Sequence, residues 1–314
     1  MTRKLADRRC QTQSILLVLL LAVVSLPALP AEPPGAGDAA HFLRDGLGAR
    51  GRSMGSAYIA LANDFTAGFW NPAAAVQSPS TVVGGSLEQR YGGLFTFSAL
   101  GGWHAAEGWG AGGVILTSDL YDVYQIAGGL RLDSLTVGVG VKSYRFGVPG
   151  DRGSGLGLDL GAQYAWTVDG LRLTVAAASR DVGWTPIRWG TGGTATTDRA
   201  AWVNRIGVAL TIPLSRGEWA VELDGEFSIR RPPEEDEPGY WGQAAEANIS
   251  LGTAFRWFGL TVRAGVQRFD VLNPDARFRP TVGLGITAGS IAVDLALVPS
   301  PLGSTYLGGF DAEL

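Results

Sequence analysis

The sequence predicts an all-β fold: a transmembrane antiparallel β-barrel of about fourteen strands, preceded by a short, partly helical N-terminal hatch segment. Three observations lead there. Beyond residue 80, apolar side chains alternate with small or polar ones in segments of roughly nine to eleven residues, the length a tilted strand needs to cross a bilayer. The connections between segments alternate between tight and long. Tryptophans and tyrosines collect at segment ends, where an interfacial girdle would hold them. The composition agrees: 46 Gly and 10 Trp accompany only 17% charged residues, while 46% hydrophobic content excludes a glycine-rich disordered chain.

Residues 1–31 read as an export signal. Arg3, Lys4, Arg8 and Arg9 form a basic start, Ile15 to Leu26 an uncharged apolar run, and Pro27-Ala28-Leu29-Pro30-Ala31 a breaker with a small residue for cleavage after Ala31. The apolar run is short of the roughly 20 residues of a spanning helix. Cys10 precedes it and leaves with it, so the mature chain holds no thiol for a disulfide or a metal. Removing these residues leaves 21 basic against 28 acidic groups, a formal charge of −7, which argues against nucleic acid as a partner.

Residues 32–80 make a linker and hatch. Glu32 to Asp38 is rich in Pro and Gly and reads as flexible. Gly46 to Asn63 reads as loop and short helix, with Met54, Ala57, Tyr58, Ala60 and Leu61 near one face. Trp70-Asn71-Pro72-Ala73 follows, and Pro72 forces Asn71 out of helical geometry into a turn.

Residues 81–314 form the barrel, with strands expected over 81–88, 92–102, 109–118, 122–132, 135–146, 154–167, 171–182, 202–213, 217–230, 244–256, 258–268, 278–289, 290–299 and 304–312. Trp219, Val221, Leu223, Gly225, Phe227 and Ile229 form one face of such a segment, and Ala220, Glu222, Asp224, Glu226, Ser228 and Arg230 the other. Tight turns fall at 132–134, 168–170, 214–216, Trp257 and 289–290; long loops at 147–153, 183–201, 231–243 and 270–277. That sorting sets the tight turns on the periplasmic side. Trp103, Trp109, Trp166, Trp219 and Trp257 then mark one girdle, and Tyr91, Tyr121, Tyr124, Trp202, Tyr240 and Trp241 the other.

Leu47-Gly48-Ala49-Arg50, the run Met54 to Asp64, and Trp70-Asn71-Pro72-Ala73 resemble the N-terminal signature of the FadL-like superfamily of outer-membrane barrels, and are similar to its PorV/PorQ branch. Ile291 to Pro299 with Leu302-Gly303-Ser304-Thr305 is similar to the final hairpin of that branch. The common Gly after Asn-Pro-Ala is Ala74 here, and the chain ends in Leu314 rather than an aromatic. The resemblance implies fourteen strands around a hatch. In FadL-type members, hydrophobic molecules enter from outside and leave sideways through the wall near the Asn-Pro-Ala turn. PorV-type members serve type IX protein secretion.

With the apolar faces toward lipid, the lumen would hold Lys142, Asp159, Arg172, Arg205, Glu222, Asp224, Glu226, Arg263, Arg279 and Asp294. Buried charge of both signs demands pairing, so a network that packs the lumen and holds the hatch is favoured over a charged translocation path. Trp70, Asn71, Pro72 and Ala73 are the gating candidates, with a rigid turn as the bland alternative. Gly110, Gly112 and Gly113 could weaken the third strand and open a wall gap. The acidic loop Glu234 to Glu237 reads as solvated surface rather than a cation site, and Tyr240 and Trp241 with Trp184 and Trp189 could make an external surface for a hydrophobic molecule or partner, or equally anchor the interface. His41 and His104 lack metal-ligand spacing, and Gly153 to Gly157 lies in a strand pattern, so no catalytic residue, metal or cofactor is expected.

The function expected is therefore non-enzymatic: an outer-membrane barrel passing a hydrophobic small molecule past its hatch. The alternative is an accessory or shuttle protein of type IX secretion. Outer-membrane lipids and lipopolysaccharide, a hydrophobic substrate and secretion-system proteins are the partners this implies.

Overall fold

The computed structural model describes residues 39–76, 81–190, 196–229, 245–268, 278–300 and 302–314. The segment read as an export signal, the Pro/Gly-rich stretch 32–38, the acidic run 234–237, Tyr240 and Trp241 lie outside the described residues.

Fourteen strands close into an antiparallel barrel. In chain order they begin with β1 (Thr81–Arg90), β2 (Phe95–Ala106), β3 (Trp109–Ser118), β4 (Tyr121–Leu132), β5 (Leu135–Val148), β6 (Asp151–Val168) and β7 (Leu171–Arg180). Two short strands, β8 (Pro186–Trp189) and β9 (Thr196–Arg199), stand apart from the barrel circuit. The circuit resumes with β10 (Trp202–Leu214), β11 (Gly217–Ile229), β12 (Ala245–Trp257), β13 (Leu260–Arg268), β14 (Phe278–Ala288), β15 (Ile291–Val298) and β16 (Thr305–Glu313). Each barrel strand pairs with its sequence neighbour, β7 pairs with β10, and β1 meets β16 from Val82↔Glu313 to Gln89↔Tyr306. Closure leaves no unpaired edge, as a strand surrounded by lipid requires.

The alternation resolves into two faces as its period dictates. Leu100, Ile126, Leu156, Leu223, Leu284 and Leu295 are exposed on the outside, while Gln125, Lys142, Asp159, Glu222 and Asp294 are buried inside. A lipid-facing wall needs an apolar surface, and a buried polar lumen needs partners within it.

Six connections at one end are two-residue turns: Glu107-Gly108, Asp133-Ser134, Asp169-Gly170, Ser215-Arg216, Phe258-Gly259 and Gly289-Ser290. Asp169-Gly170 and Phe258-Gly259 have both residues at positive φ, matching the twist of the strands they join. The tight turn expected at Trp257 thus lies one residue later, and Trp257 ends β12.

The opposite end departs from expectation. Tyr91–Gly93 is a 3-10 turn, Asp119-Leu120 links β3 to β4, and Pro149-Gly150 links β5 to β6. The long loop expected over 147–153 is instead strand: β5 and β6 pair up to Val148↔Asp151 and rise as an extended hairpin. Within the connection from β7 to β10, the β8–β9 hairpin docks on β6 through Gly153↔Trp189 to Gly155↔Ile187, continuing the wall above the short β7.

Trp103 also departs from the girdle. Its side chain points inward, is 1% exposed and donates its indole N–H to the Phe65 carbonyl. Trp109, Trp219 and Trp257 are exposed on the outer face at the tight-turn end. Tyr121 turns inward as well, onto Phe42.

Candidate functional site

The hatch fills the lumen from residue 39 to 76. Its entry, Ala39, bridges to Ala200 beside β9. A 3-10 turn at His41–Leu43 leads to helix α1 (Ala49–Ser53), and helix α2 (Ala67–Trp70) precedes a 3-10 turn at Pro72–Val76. The helix expected over part of 46–63 stops at Ser53, because Gly55 and Ser56 both take positive φ. Met54, Ala57, Tyr58 and Ala60 are buried all the same, as packed coil.

Buried polar backbone of the hatch needs hydrogen-bond partners, and the wall supplies them. Glu222 on β11 accepts from the amides of Ala60 (2.7 Å) and Leu61 (3.0 Å), and Asp224 from that of Tyr58 (3.1 Å). Thr281 on β14 accepts from the Gly55 amide and donates to the Ser53 carbonyl, each at 2.8 Å. Gln163 on β6 donates to the Ala60 carbonyl at 2.8 Å.

Three hatch arginines complete the attachment. Arg44 pairs with Glu226 at 3.1 Å and Glu246 at 2.5 Å. Arg50 bridges Asp294 at 2.7 Å and Asp311 at 2.8 Å, and Arg263 holds the other oxygen of Asp294 at 2.6 Å. Arg52 lies 3.4 Å from Glu88. Glu226 is the busiest node: Arg205 forks onto it, Arg180 stands 4.0 Å away, and Asn248 donates at 2.8 Å. Asp45, in the hatch, is pushed up by burial but held at about 2 by Arg52, Arg90, Arg279 and His41 around it, so it stays charged at neutral pH.

The expected lumen charges therefore divide. Arg205, Glu222, Asp224, Glu226, Arg263 and Asp294 are buried and contact the hatch or a residue bound to it. Lys142 and Asp159 form a cluster within the wall, with Asp181 accepting from Lys142 at 2.8 Å and from the Tyr144 hydroxyl. Arg279 is half-buried, 3.7 Å from Asp45. Arg172 is exposed near the tight-turn end and lines an open cavity, so it is not part of the buried network.

Trp70, Asn71, Pro72 and Ala73 come together under the wall of β3 to β6. Asn71 is fully buried and extended (φ −153°), as Pro72 demands. Its Oδ1 accepts from the Ala73 amide at 3.0 Å, and its Nδ2 donates to the carbonyls of Ile59 (3.3 Å) and Ala162 of β6 (3.4 Å). Trp70 donates to the Leu47 carbonyl at 3.0 Å, tying the two hatch halves. Pro72 and Asn71 press so closely on the wall that a methyl at Gly138 would sit 2.3 Å from the Pro72 carbonyl carbon, and one at Gly161 2.1 Å from Asn71 Oδ1. Gly110 meets Ala75 in the same way, so its role is close approach; β3 pairs without interruption on both sides, and no wall gap opens there.

Gly138→Ala should therefore displace the Asn71-Pro72 turn, since backbone rather than a flexible side-chain tip occupies the space. Overpacking of this kind costs about 1–3 kcal/mol. The check is the thermal unfolding midpoint together with proteolysis of the hatch; an unchanged midpoint and an uncut hatch would refute the cradle.

The hatch meets unlike surroundings at its two ends. Toward the tight turns lies a polar cavity of about 440 Å³, lined by Arg50, Tyr58, Arg172, Arg263 and Asp311 among others. Toward the opposite end lies an aromatic cluster, with the Arg90 guanidinium 4.4 Å over the Phe97 ring and donating to the Phe42 carbonyl. Phe42 of the hatch stacks on Tyr121 with centroids 3.6 Å apart and meets Phe97 and Phe146, and Phe146 meets Trp189. Of the two loop tryptophans, Trp189 joins this cluster, while Trp184 packs edge-on against Trp202 and donates to the Ile229 carbonyl.

Sequence reasoning missed Arg44, Asp45, Arg50 and Arg52 as lumen contacts, although three arginines and an aspartate among Gly, Ala and Leu over nine residues were a usable signal. The aromatic cluster had no such signal, because Phe42, Phe97, Tyr121 and Phe146 come from four separate elements. Among the described residues no group of His, Cys, Asp and Glu could hold a metal.

No family model matches the chain, and no curated protein matches it in sequence. Solved structures do resemble it. The toluene transporter TbuX of Ralstonia pickettii is 12% identical with a TM-score of 0.55, over 87% of this chain and all (100%) of that one. The toluene transporter TodX of Pseudomonas putida is 13% identical with a TM-score of 0.52, over 85% of this chain and 96% of that one. A TodX variant described as a monoaromatic hydrocarbon channel gives 14% and 0.54, over 85% and 97%. At these identities the likeness is one of fold.

Proposed function

We propose that this chain is an outer-membrane channel for a hydrophobic, aromatic-sized molecule, with residues 39–76 as its hatch. The observation that carries the reading is the aromatic cluster of Phe42, Phe97, Tyr121, Phe146 and Trp189, set in the lumen on the side away from the tight turns. With the tight turns facing the periplasm, this cluster faces the outside. An apolar solute leaving the external medium gains by burial there, and Phe42 is the hatch side chain it would displace. The fold shared with toluene transporters supports the same reading.

Passage past the hatch is downhill and needs no energy source from this chain. The mixed-sign ion pairs attach the hatch and do not line a path for ions, since the buried carboxylates already hold arginine or lysine partners or hatch amides. The alternative role in type IX secretion rests on the terminal motifs alone.

Cells with the chain should take up a labelled monoaromatic hydrocarbon faster than cells without it, and Phe42→Ala together with Phe146→Ala should change that rate severalfold while the folded barrel persists. Equal uptake with and without the chain, across several apolar solutes, would sink the proposal.

A further inference from the structure

The outer wall carries a cluster that neither the hatch nor the proposed passage uses. On β6 the side chains sharing one strand face from Leu156 to Val168 are Leu156, Leu158, Leu160, Ala162, Tyr164, Trp166 and Val168, with Ala162 and Tyr164 covered by Leu135 and Ala177 of the neighbouring strands. At ~3.3 Å per residue and ~45° of tilt this run rises roughly 28 Å, matching an apolar band of ~25 Å. Immediately above it the same face continues with Ser154 and Arg152, both exposed.

The register gathers more charge at that height. Ser154 pairs with Arg145 on β5 at one side and with Arg188 on β8 at the other. Both arginines point outward: their chain neighbours Tyr144 and Ile187 are fully buried inside, while Arg145 and Arg188 are exposed. Strands lie ~4.8 Å apart, so the two guanidinium-bearing residues flank Ser154 about 10 Å from each other. Arg152 stands two residues along from Ser154 on the same face.

These residues border an open concavity of about 540 Å³ at the top of the wall, whose inner edge is formed by Phe146 and Trp189 of the lumen cluster. Arg145 lies over the Tyr124 ring at 5.3 Å, which holds it in the plane of the upper girdle. Asp122 sits across from Arg145 on β4, yet no ion pair forms between them. Among the described residues none of the three arginines has a carboxylate partner, in a protein whose inward arginines nearly all do.

We propose that Arg145, Arg152 and Arg188, with Ser154 between them, bind the phosphates of a lipid A-type glycolipid in the outer leaflet. Guanidinium forks suit phosphate oxygens, the Ser154 hydroxyl adds a donor, and the apolar wall below takes the acyl chains. Two phosphates on one headgroup match three cations spread over two strand spacings better than a single phosphate does. The proposal uses the orientation assumed for the passage, with tight turns toward the periplasm, but does not depend on transport.

The test is lipid retention by the purified full-length barrel in native mass spectrometry, with bisphosphorylated lipid A, its dephosphorylated form and inorganic phosphate as probes. The native protein should retain bisphosphorylated lipid A at least tenfold over the dephosphorylated form. Arg145→Gln with Arg152→Gln and Arg188→Gln should abolish that preference, and the corresponding triple Lys variant should keep most of it, both with unchanged heat-modifiable migration. Should the triple Gln variant fail to fold, Arg188→Gln alone should still lower retention severalfold. Equal retention by native and Gln-substituted barrels, no preference for the phosphorylated lipid, or displacement by equimolar inorganic phosphate would each overturn the proposal. Since solute uptake is not measured, a failed transport reading leaves this result standing.

Discussion

Glu226→Gln should free the N-terminal half of the hatch and raise the conductance of single barrels in planar bilayers by an order of magnitude or more. The carboxylate is 4% exposed and receives Arg44 from the hatch, Arg205 from β10 and Asn248 from β12, with Arg180 at 4.0 Å. The amide keeps the shape but removes the charge that offsets three guanidinium groups. Breaking a buried pair in this manner costs about 3–5 kcal/mol, because cations remain desolvated with no counter-charge. Arg44 retains Glu246, whereas Arg205 retains the backbone carbonyls of Ser56 and Arg44 and the face of Trp70. The strand ladder of β11 is untouched, so folded migration on gels should persist. Native conductance with a protease-resistant segment from Arg44 to Arg52 would show that Glu226 packs the lumen without holding the hatch.

Asn71→Ala should have the second largest effect, on the other half of the hatch. The Ala73 amide and the Ile59 carbonyl lose the Asn71 side chain as partner, and the Ala162 carbonyl, within the β6 ladder, loses an added donor. An unsatisfied buried group costs about 1–3 kcal/mol, and Asn71 joins Pro72 to the wall where Gly138 and Gly161 admit no filler. The hatch turn should therefore leave its seat on β5 and β6, with solute permeation altered and barrel migration intact. Asn71→Asp keeps the acceptor for Ala73 but loses both donations, so it should fall between native and alanine. Loss of the folded barrel in Asn71→Ala would assign the residue to folding rather than gating. The two variants differ in cause, Glu226→Gln acting through charge and Asn71→Ala through hydrogen bonds, but salt does not separate them. Buried pairs are weakly screened, so neither phenotype should be rescued by low ionic strength.

The extent of what could be read in advance follows from the range of each interaction. The faces of Trp219 to Ile229 were legible because the pleat gives alternation to any strand, whatever it pairs with. Turn positions such as Asp169-Gly170 were legible because positive φ selects Gly and Asp locally. The β8–β9 hairpin escaped because four-residue strands such as Pro186–Trp189 are too short to show a period. Trp103 was misplaced on the interface because a tryptophan near a strand end has the same local pattern whether it faces lipid or Phe65. The reading of 147–153 as loop failed because glycine weakens the alternation that the pairing nevertheless sustains.

By itself the amino-acid sequence determined an antiparallel barrel of fourteen strands with an apolar exterior, a polar lumen and a separate segment ahead of it. All of these arise from forces acting over a few residues: side-chain alternation, turn chemistry and the solvent each face prefers. Only the tertiary structure decided which charge meets which, because Arg44 and Glu226 are 182 residues apart and Arg50 and Asp294 are 244 apart. It alone also decided that the glycines of β3 to β6 seat the Asn71-Pro72 turn, and that three arginines, with no carboxylate partner among the described residues, line up above the apolar band. Such matches depend on the register in which the barrel closes, and no local pattern carries that register across the chain.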